Sequence, residues 1–268
     1  MRNRPRVVFI GWGAINSRVG ALLAERKTAI DIVGIATIDT PEARAALPPG
    51  VRFLAAPDEL AALKPDLVVE AAGRAAIEQW AAAALATAPE MIIASTSAFV
   101  DDDLLARLVA LAERNGSRIQ VPSGAIGGID SLAGAAVLEL DEVVHQITKP
   151  PRAWKNTPAE KLLYLDALRE REVFFSGSAR EAAASYPQNA NATVVTSLAG
   201  IGLDKTRVEL VADPGVSINS HRIAARGAFG RMEIVLENRA LVTNPKSSEL
   251  TALSLVRLIE HRVHYLVV

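Results

Sequence analysis

At 268 residues, half of them apolar, the chain exceeds the usual single-domain size and can bury a substantial core, so one larger domain with a smaller appended one is the natural partition. Its 29 Lys plus Arg against 30 Asp plus Glu advertise no broad basic face for nucleic acid. The absence of cysteine excludes disulfides, thiolate metal sites and cysteine nucleophiles.

The basic start runs into an apolar stretch that glycines break at once, so residues 7–10 read as a first strand rather than a leader peptide. No run approaches the ~20 uninterrupted apolar residues of a membrane span, and a soluble cytoplasmic protein is the expectation. Further short β-branched runs follow at 32–38, 51–54, 67–70, 91–94 and 118–121. Between them lie helical patterns. Ile15, Val19, Leu22 and Leu23 share one face, residues 74–87 form an alanine-rich helix, and 101–115 opens on an acidic cap and stops at Gly116. This alternation predicts a doubly wound parallel sheet over residues 1–124.

After residue 124 the runs at 142–148, 171–176, 206–212, 217–225 and 231–237 come with fewer helices between them, which predicts a smaller α+β domain at 125–240 with antiparallel pairing. The C-terminal segment 241–268 carries a helical pattern from Ser247 to Arg262, with Asn244-Pro245 as its entry, and is expected to return to the first domain.

Gly11-Trp12-Gly13-Ala14-Ile15-Asn16 follows a strand and opens a helix, the context in which glycines admit a pyrophosphate to a helix N-terminus. Gly11, Gly13, Ala14 and Ile15 are therefore candidate cofactor residues. Thr37 stands where an acidic residue would take the ribose hydroxyls of NAD, with Asp39 two residues on, so the choice between NAD and NADP is not legible. Arg44 is read either as a 2′-phosphate ligand or as a solvated helix arginine.

Among four histidines, His221 lies in a predicted strand and has the side chain whose ordinary pKa suits proton transfer near neutral pH. His145, His261 and His264 are read as structural. Lys149, Arg226 and Lys246 are the candidate substrate-binding cations, Lys149 being stiffened by Pro150-Pro151. Asn189 and Asn191 offer amides, Asn189 alternatively as a helix cap, and Ser247-Ser248 would hold a carboxylate or cap a helix. No cluster has metal-ligand spacing, and no metal is expected.

Six ordered blocks carry a resemblance: 121–132 around Gly124-Ala125-Ile126-Gly127, 148–154, 186–193 with Pro187-Gln188-Asn189-Ala190-Asn191, 198–206, 225–230 and 244–248. Together the sequence resembles the L-aspartate dehydrogenase family over nearly its whole length. The resemblance implies a Rossmann-type cofactor domain and a homodimer that oxidises L-aspartate with NAD or NADP to iminosuccinate, and so to oxaloacetate and ammonia, or runs in reverse. It also implies a supply of iminosuccinate for NAD biosynthesis. By the same match His221 is the active-site histidine, and Ala125 and Asn191 are cofactor-contacting. Trp12 and Asn16 depart from the family's usual Cys and Gly in the glycine loop. The competing readings are a related dehydrogenase or imine reductase on another amino acid, and a non-catalytic nucleotide-binding regulatory protein.

Overall fold

The structure, a computed structural model, describes residues 4–268 apart from the side chains of Gln188, Pro245 and Lys246. Two compact units divide the chain: one runs to Pro122 and takes up Thr251–Val268, the other is Ser123–Leu250.

The first unit is built on six parallel strands, β1 (Arg6–Ile10), β2 (Asp31–Ala36), β3 (Arg52–Leu54), β4 (Leu67–Glu70), β5 (Glu90–Ile93) and β6 (Arg118–Gln120). They lie in the order β3-β2-β1-β4-β5-β6. Parallel strands covered on both faces must be apolar throughout, and Val7, Val8, Phe9, Leu67, Val68 and Val69 are all fully buried. Helices α1 (Ala14–Glu25), α2 (Pro41–Ala45), α3 (Leu60–Leu63), α4 (Arg74–Thr87) and α5 (Asp102–Asn115) connect them. Asp101 caps α5 by accepting from the Leu104 amide, and Gly116 ends it in the left-handed region at φ 64°. Sequence order reverses between β1 and β4, and in sheets of this kind ligands bind outside the carboxyl ends of the strands at that switch point. The expected second strand stops at Ala36, paired with Ile10 and Leu54 at the ends of β1 and β3, and Ile38 beyond it is 73% exposed.

The second unit opens with α6 (Ile129–Ala135) and holds a five-stranded sheet of β7 (Leu140–Lys149), β8 (Glu172–Ser178), β9 (Arg207–Ala212), β10 (Asn219–Gly227) and β11 (Gly230–Asn238). Its order is β11-β10-β7-β9-β8, antiparallel except for the β7–β9 pair. Helices α7 (Ala179–Ser185) and α8 (Ala190–Ala199) intervene between β8 and β9, more helix than the strand-rich pattern suggests. A capping box at Ser178 and Glu181 starts α7. Two short strands, β12 (Ala240–Leu241) and β13 (Asn244–Ser248), close this unit.

Asn244-Pro245 therefore does not start the last helix. Residues 244–248 pair with β12, and α9 (Glu249–Glu260) begins after them. Leu255 and Ile259 of α9 pack with Val7, Phe9, Val19 and Leu23 in the core of the first unit. Glu260 is held there by Arg26, at 2.7 and 2.9 Å, and by the Thr28 hydroxyl at 2.8 Å. Among the described residues no helix is long and apolar enough to cross a membrane.

Candidate active site

In the first unit the site is a turn between β1 and α1. Gly11 takes φ +87°, and a Cβ there would lie 2.7 Å from the Ala72 Cβ and 2.9 Å from the Ala71 carbonyl, so only glycine fits. Gly13 is the N-cap of α1 and brings no side-chain cap, and no atom lies within 4 Å of where its Cβ would point. First-turn amides of Ala14 and Ile15 have no partner within their own helix and favour an anion. This open, uncapped helix start fits a dinucleotide pyrophosphate. When bound, such a group supplies a nicotinamide that exchanges hydride with substrate carbon.

The two unusual residues of the loop are accommodated locally. Asn16 is fully buried and its amide donates to the carbonyls of Ile10 and Gly11 at 3.2 and 2.9 Å, tying the turn to the strand end. Trp12 lays its ring over Gly20, where a Cβ would come within 2.5 Å of it, packs edge-on against Phe9 at 5.5 Å and donates to the Ala46 carbonyl. Glycine at position 20 is thus the steric counterpart of tryptophan at position 12.

Glu70, which sequence reasoning passed over as the end of a strand, organises the adjoining loop. Its buried carboxylate accepts from the amides of Ala72, Gly73 and Ser95 at 2.6, 2.9 and 3.2 Å and from the Ser95 hydroxyl at 2.7 Å. Burial pushes its pKa up against these donors. An acid closing an otherwise apolar strand was the available signal.

Thr37 is half-buried just past β2. Arg44 is a half-exposed helix arginine with local partners. It pairs with Asp39 at 2.6 and 3.0 Å and stacks over the Phe53 ring at 3.9 Å.

In the second unit the site is one face of the sheet. Strand alternation puts His145, Ile147 and Lys149 of β7 on the same side as His221 and Ile223 of β10. Opposite Ile147, His221 is flanked diagonally by His145 and Lys149. The His221 Nδ1 lies 3.0 Å from His145 Nε2, and the Thr196 hydroxyl of α8 lies 2.9 Å from His145 Nδ1. His145, expected to be structural, is therefore bonded directly to the candidate acid/base. Its four-residue separation from Lys149 within one strand was the legible clue.

Burial, helped by the Lys149 charge, lowers the His221 pKa to about 4, and burial with the His221 charge lowers that of His145 well below its usual range. Both rings are neutral at pH 7. Since the unfolded chain binds more protons between pH 4 and 6.5, this arrangement loses stability as pH falls through that window. Unfolding followed by circular dichroism should show it, with a shallower pH slope in His221→Asn. An equal slope in the two proteins would mean that His221 is not held neutral by burial.

Lys149 is half-buried, donates to the Asn189 carbonyl oxygen at 2.6 Å and lies 4.9 Å from the centre of the Trp154 ring. Trp154 is itself fixed, buried against Phe174 and donating to the Val211 carbonyl at 2.9 Å. Burial lowers the Lys149 pKa to about 8, so it is mostly protonated at pH 7. Among the described residues no carboxylate pairs with it.

Asn189 stands at the N-cap of α8, but its side chain makes no cap and serves Lys149 instead. Asn191 is exposed in the first turn of α8, and Ala125 lies in the 121–128 loop, its carbonyl accepting from Asn238 at 2.6 Å. Arg226 is not brought to this cluster. It lies five positions along β10 from His221, an odd offset, so it takes the opposite, exposed face of the sheet, where Arg222 pairs with Glu233. The Lys246 side chain lies outside the described residues. Ser248, placed in a strand, accepts from the Leu250 amide at 3.2 Å as α9 begins.

A parallel sheet with a glycine turn at its switch point is a dinucleotide-binding arrangement, and the class, a pyridine-nucleotide-dependent oxidoreductase, follows from its matches. Residues 11–122 match the NAD-binding domain of homoserine dehydrogenase, and residues 130–262 match the C-terminal domain of aspartate dehydrogenase. L-aspartate dehydrogenase of Brucella anthropi is 52% identical over 257 residues, 96% of each chain. That of Cupriavidus necator is 44% identical over 262 residues, 96% of this chain and 97% of the relative. The crystal structure of aspartate dehydrogenase from Thermotoga maritima superposes with a TM-score of 0.79 at 26% identity, covering 99% of both chains. The chain belongs to the L-aspartate dehydrogenase family.

Proposed function

We propose that the protein oxidises L-aspartate to iminosuccinate with NAD or NADP as hydride acceptor, or runs the reverse. The observation that carries this reading is an ammonium, Lys149, that pairs with no carboxylate among the described residues, beside a neutral buried histidine on one sheet face. Lys149 and the Asn189 amide hold a substrate carboxylate, which in a buried site needs such a partner. His221 takes the proton that the amine nitrogen loses, or activates the water that hydrolyses the imine to oxaloacetate and ammonia. Burial is the larger cause of the depressed His221 pKa and the Lys149 charge the lesser, and a carboxylate on Lys149 offsets the second of these.

Gly11, Gly13, Ala14, Ile15, Thr37, Ala125 and Asn191 are the proposed cofactor residues. The protein acts as a cytoplasmic homodimer, and its iminosuccinate supplies NAD biosynthesis. Steady-state rates over a panel of amino acids with both cofactors test the substrate, and sedimentation tests the assembly. Faster turnover of another amino acid than of aspartate would overturn the specific reading.

The Asp39–Arg44 pair places an acid suited to ribose hydroxyls and a cation suited to a 2′-phosphate just beyond β2. Asp39→Ala should shift the ratio of NADP to NAD affinity upward by about tenfold, and Arg44→Ala should lower it by a similar factor, since one charged contact is worth ~1.4 kcal/mol or more. Titration of both reduced cofactors by fluorescence measures this, and an unchanged ratio in both variants removes the pair from cofactor choice.

A further inference from the structure

The contacts around His145 form a chain that decides which nitrogen of His221 can accept a proton. The Thr196 hydroxyl has one hydrogen and lies 3.1 Å from the Ala192 carbonyl oxygen as well as 2.9 Å from His145 Nδ1. A carbonyl only accepts. If the hydroxyl donates to Ala192, its oxygen must accept from a protonated His145 Nδ1. Neutral His145 then carries no proton on Nε2, and that nitrogen, 3.0 Å from His221 Nδ1, must accept from it. The opposite polarity would turn the Thr196 oxygen and the Ala192 oxygen toward each other with no hydrogen between them. It would also put the proton of neutral His221 on Nε2, where it could not act as a base.

We propose that Thr196 and His145 are positioning residues that hold the proton of neutral His221 on Nδ1 and leave Nε2 as the accepting nitrogen. The inference rests on His221 being the acid/base of the proposed reaction. The same polarity survives when His221 takes a proton on Nε2, because its Nδ1 donates to His145 in both states, so no rearrangement of the buried chain accompanies proton transfer. Among the described residues the groups facing His221 that carry charge or titrate are His145 and Lys149 of β7. Leu236, its partner on β11, does neither. His145 lies wholly within the sheet face and is reached by no solvent, consistent with a fixed orientation.

The test is ¹⁵N NMR of the full chain with ¹⁵N-labelled histidine, which distinguishes protonated from unprotonated ring nitrogens, on the wild type, Thr196→Val and Thr196→Ser. Wild-type His221 should show a protonated Nδ1 and an unprotonated Nε2. Thr196→Val, isosteric but unable to accept from His145, should move proton occupancy onto His221 Nε2 and lower kcat for aspartate oxidation at least about tenfold. Thr196→Ser should restore both. A wild-type His221 protonated on Nε2 overturns the proposal, as does a Thr196→Val protein with unaltered His221 nitrogens. If Thr196→Val fails to fold, the wild-type spectrum alone decides. Failure of the enzymatic reading looks different: the expected tautomer in a wild-type protein that does not turn over aspartate.

Discussion

His221→Ala is expected to lower kcat for aspartate oxidation by about 10²–10⁴-fold, the range in which a positioned acid or base contributes. Nucleotide affinity should be unchanged, because the proposed cofactor residues, at the glycine turn of one unit and at Ala125 and Asn191 of the other, do not include His221. The variant also leaves His145 Nε2 without its partner. A buried polar group so orphaned costs about 1–3 kcal/mol, so a lower melting temperature should accompany the loss of rate. Initial rates of reduced-cofactor formation, with nucleotide binding measured in parallel, separate the two effects. Unaltered turnover in a protein that still binds nucleotide would remove His221 from the mechanism.

Lys149→Met carries the second large effect, and its signs are opposed. Losing a charged hydrogen bond to a carboxylate, worth about 1.5–3 kcal/mol, should raise KM for aspartate about 10- to 100-fold. The folded protein without substrate should become more stable. Burial lowers the Lys149 pKa from 10.5 to about 8, so below pH 8 the native state holds a charge it disfavours. Relieving this stabilises by roughly 1–3 kcal/mol after allowance for partial exposure. In the wild type the unfolded chain binds more protons between pH 8 and 10.5, so stability rises with pH through that window. The Met variant should lack this rise. Removing the Lys149 charge should also raise the His221 pKa and move the acid limb of the rate profile upward. A Met variant that is no more stable than the wild type at pH 7, with an unchanged KM, would show that Lys149 is an ordinary solvated cation.

Both variants act on residues whose types were readable in the chain. The first unit was the more legible half. Val7 to Ile10, Gly11 and the start of α1 declare themselves locally, since a parallel strand buried on both faces must be an apolar run and the turn that follows takes a left-handed φ of +87° suited to glycine. The Asp101 cap and the Gly116 stop of α5 are local in the same way. Less local features misled: Asn244-Pro245 has the form of a helix start, yet pairing with Ala240 and Leu241 makes its segment a strand.

His221 and Lys149 were recognisable as chemistry, but neither their adjacency nor the part played by His145 was. Residues 145, 149, 196 and 221 come together only through the β7–β10 register and the packing of α8 on that face, and a one-residue slip would turn the His221 side chain to the other side. The same register sends Arg226 to the exposed face. Local motifs thus offered a candidate nucleotide turn and a candidate proton carrier, because those depend on residues close in sequence, while the dehydrogenase reading came from the six ordered blocks of the family resemblance. Which cation stands beside the histidine, and which of its nitrogens is held, depends on strand pairing over tens of residues, and only the tertiary structure decides it.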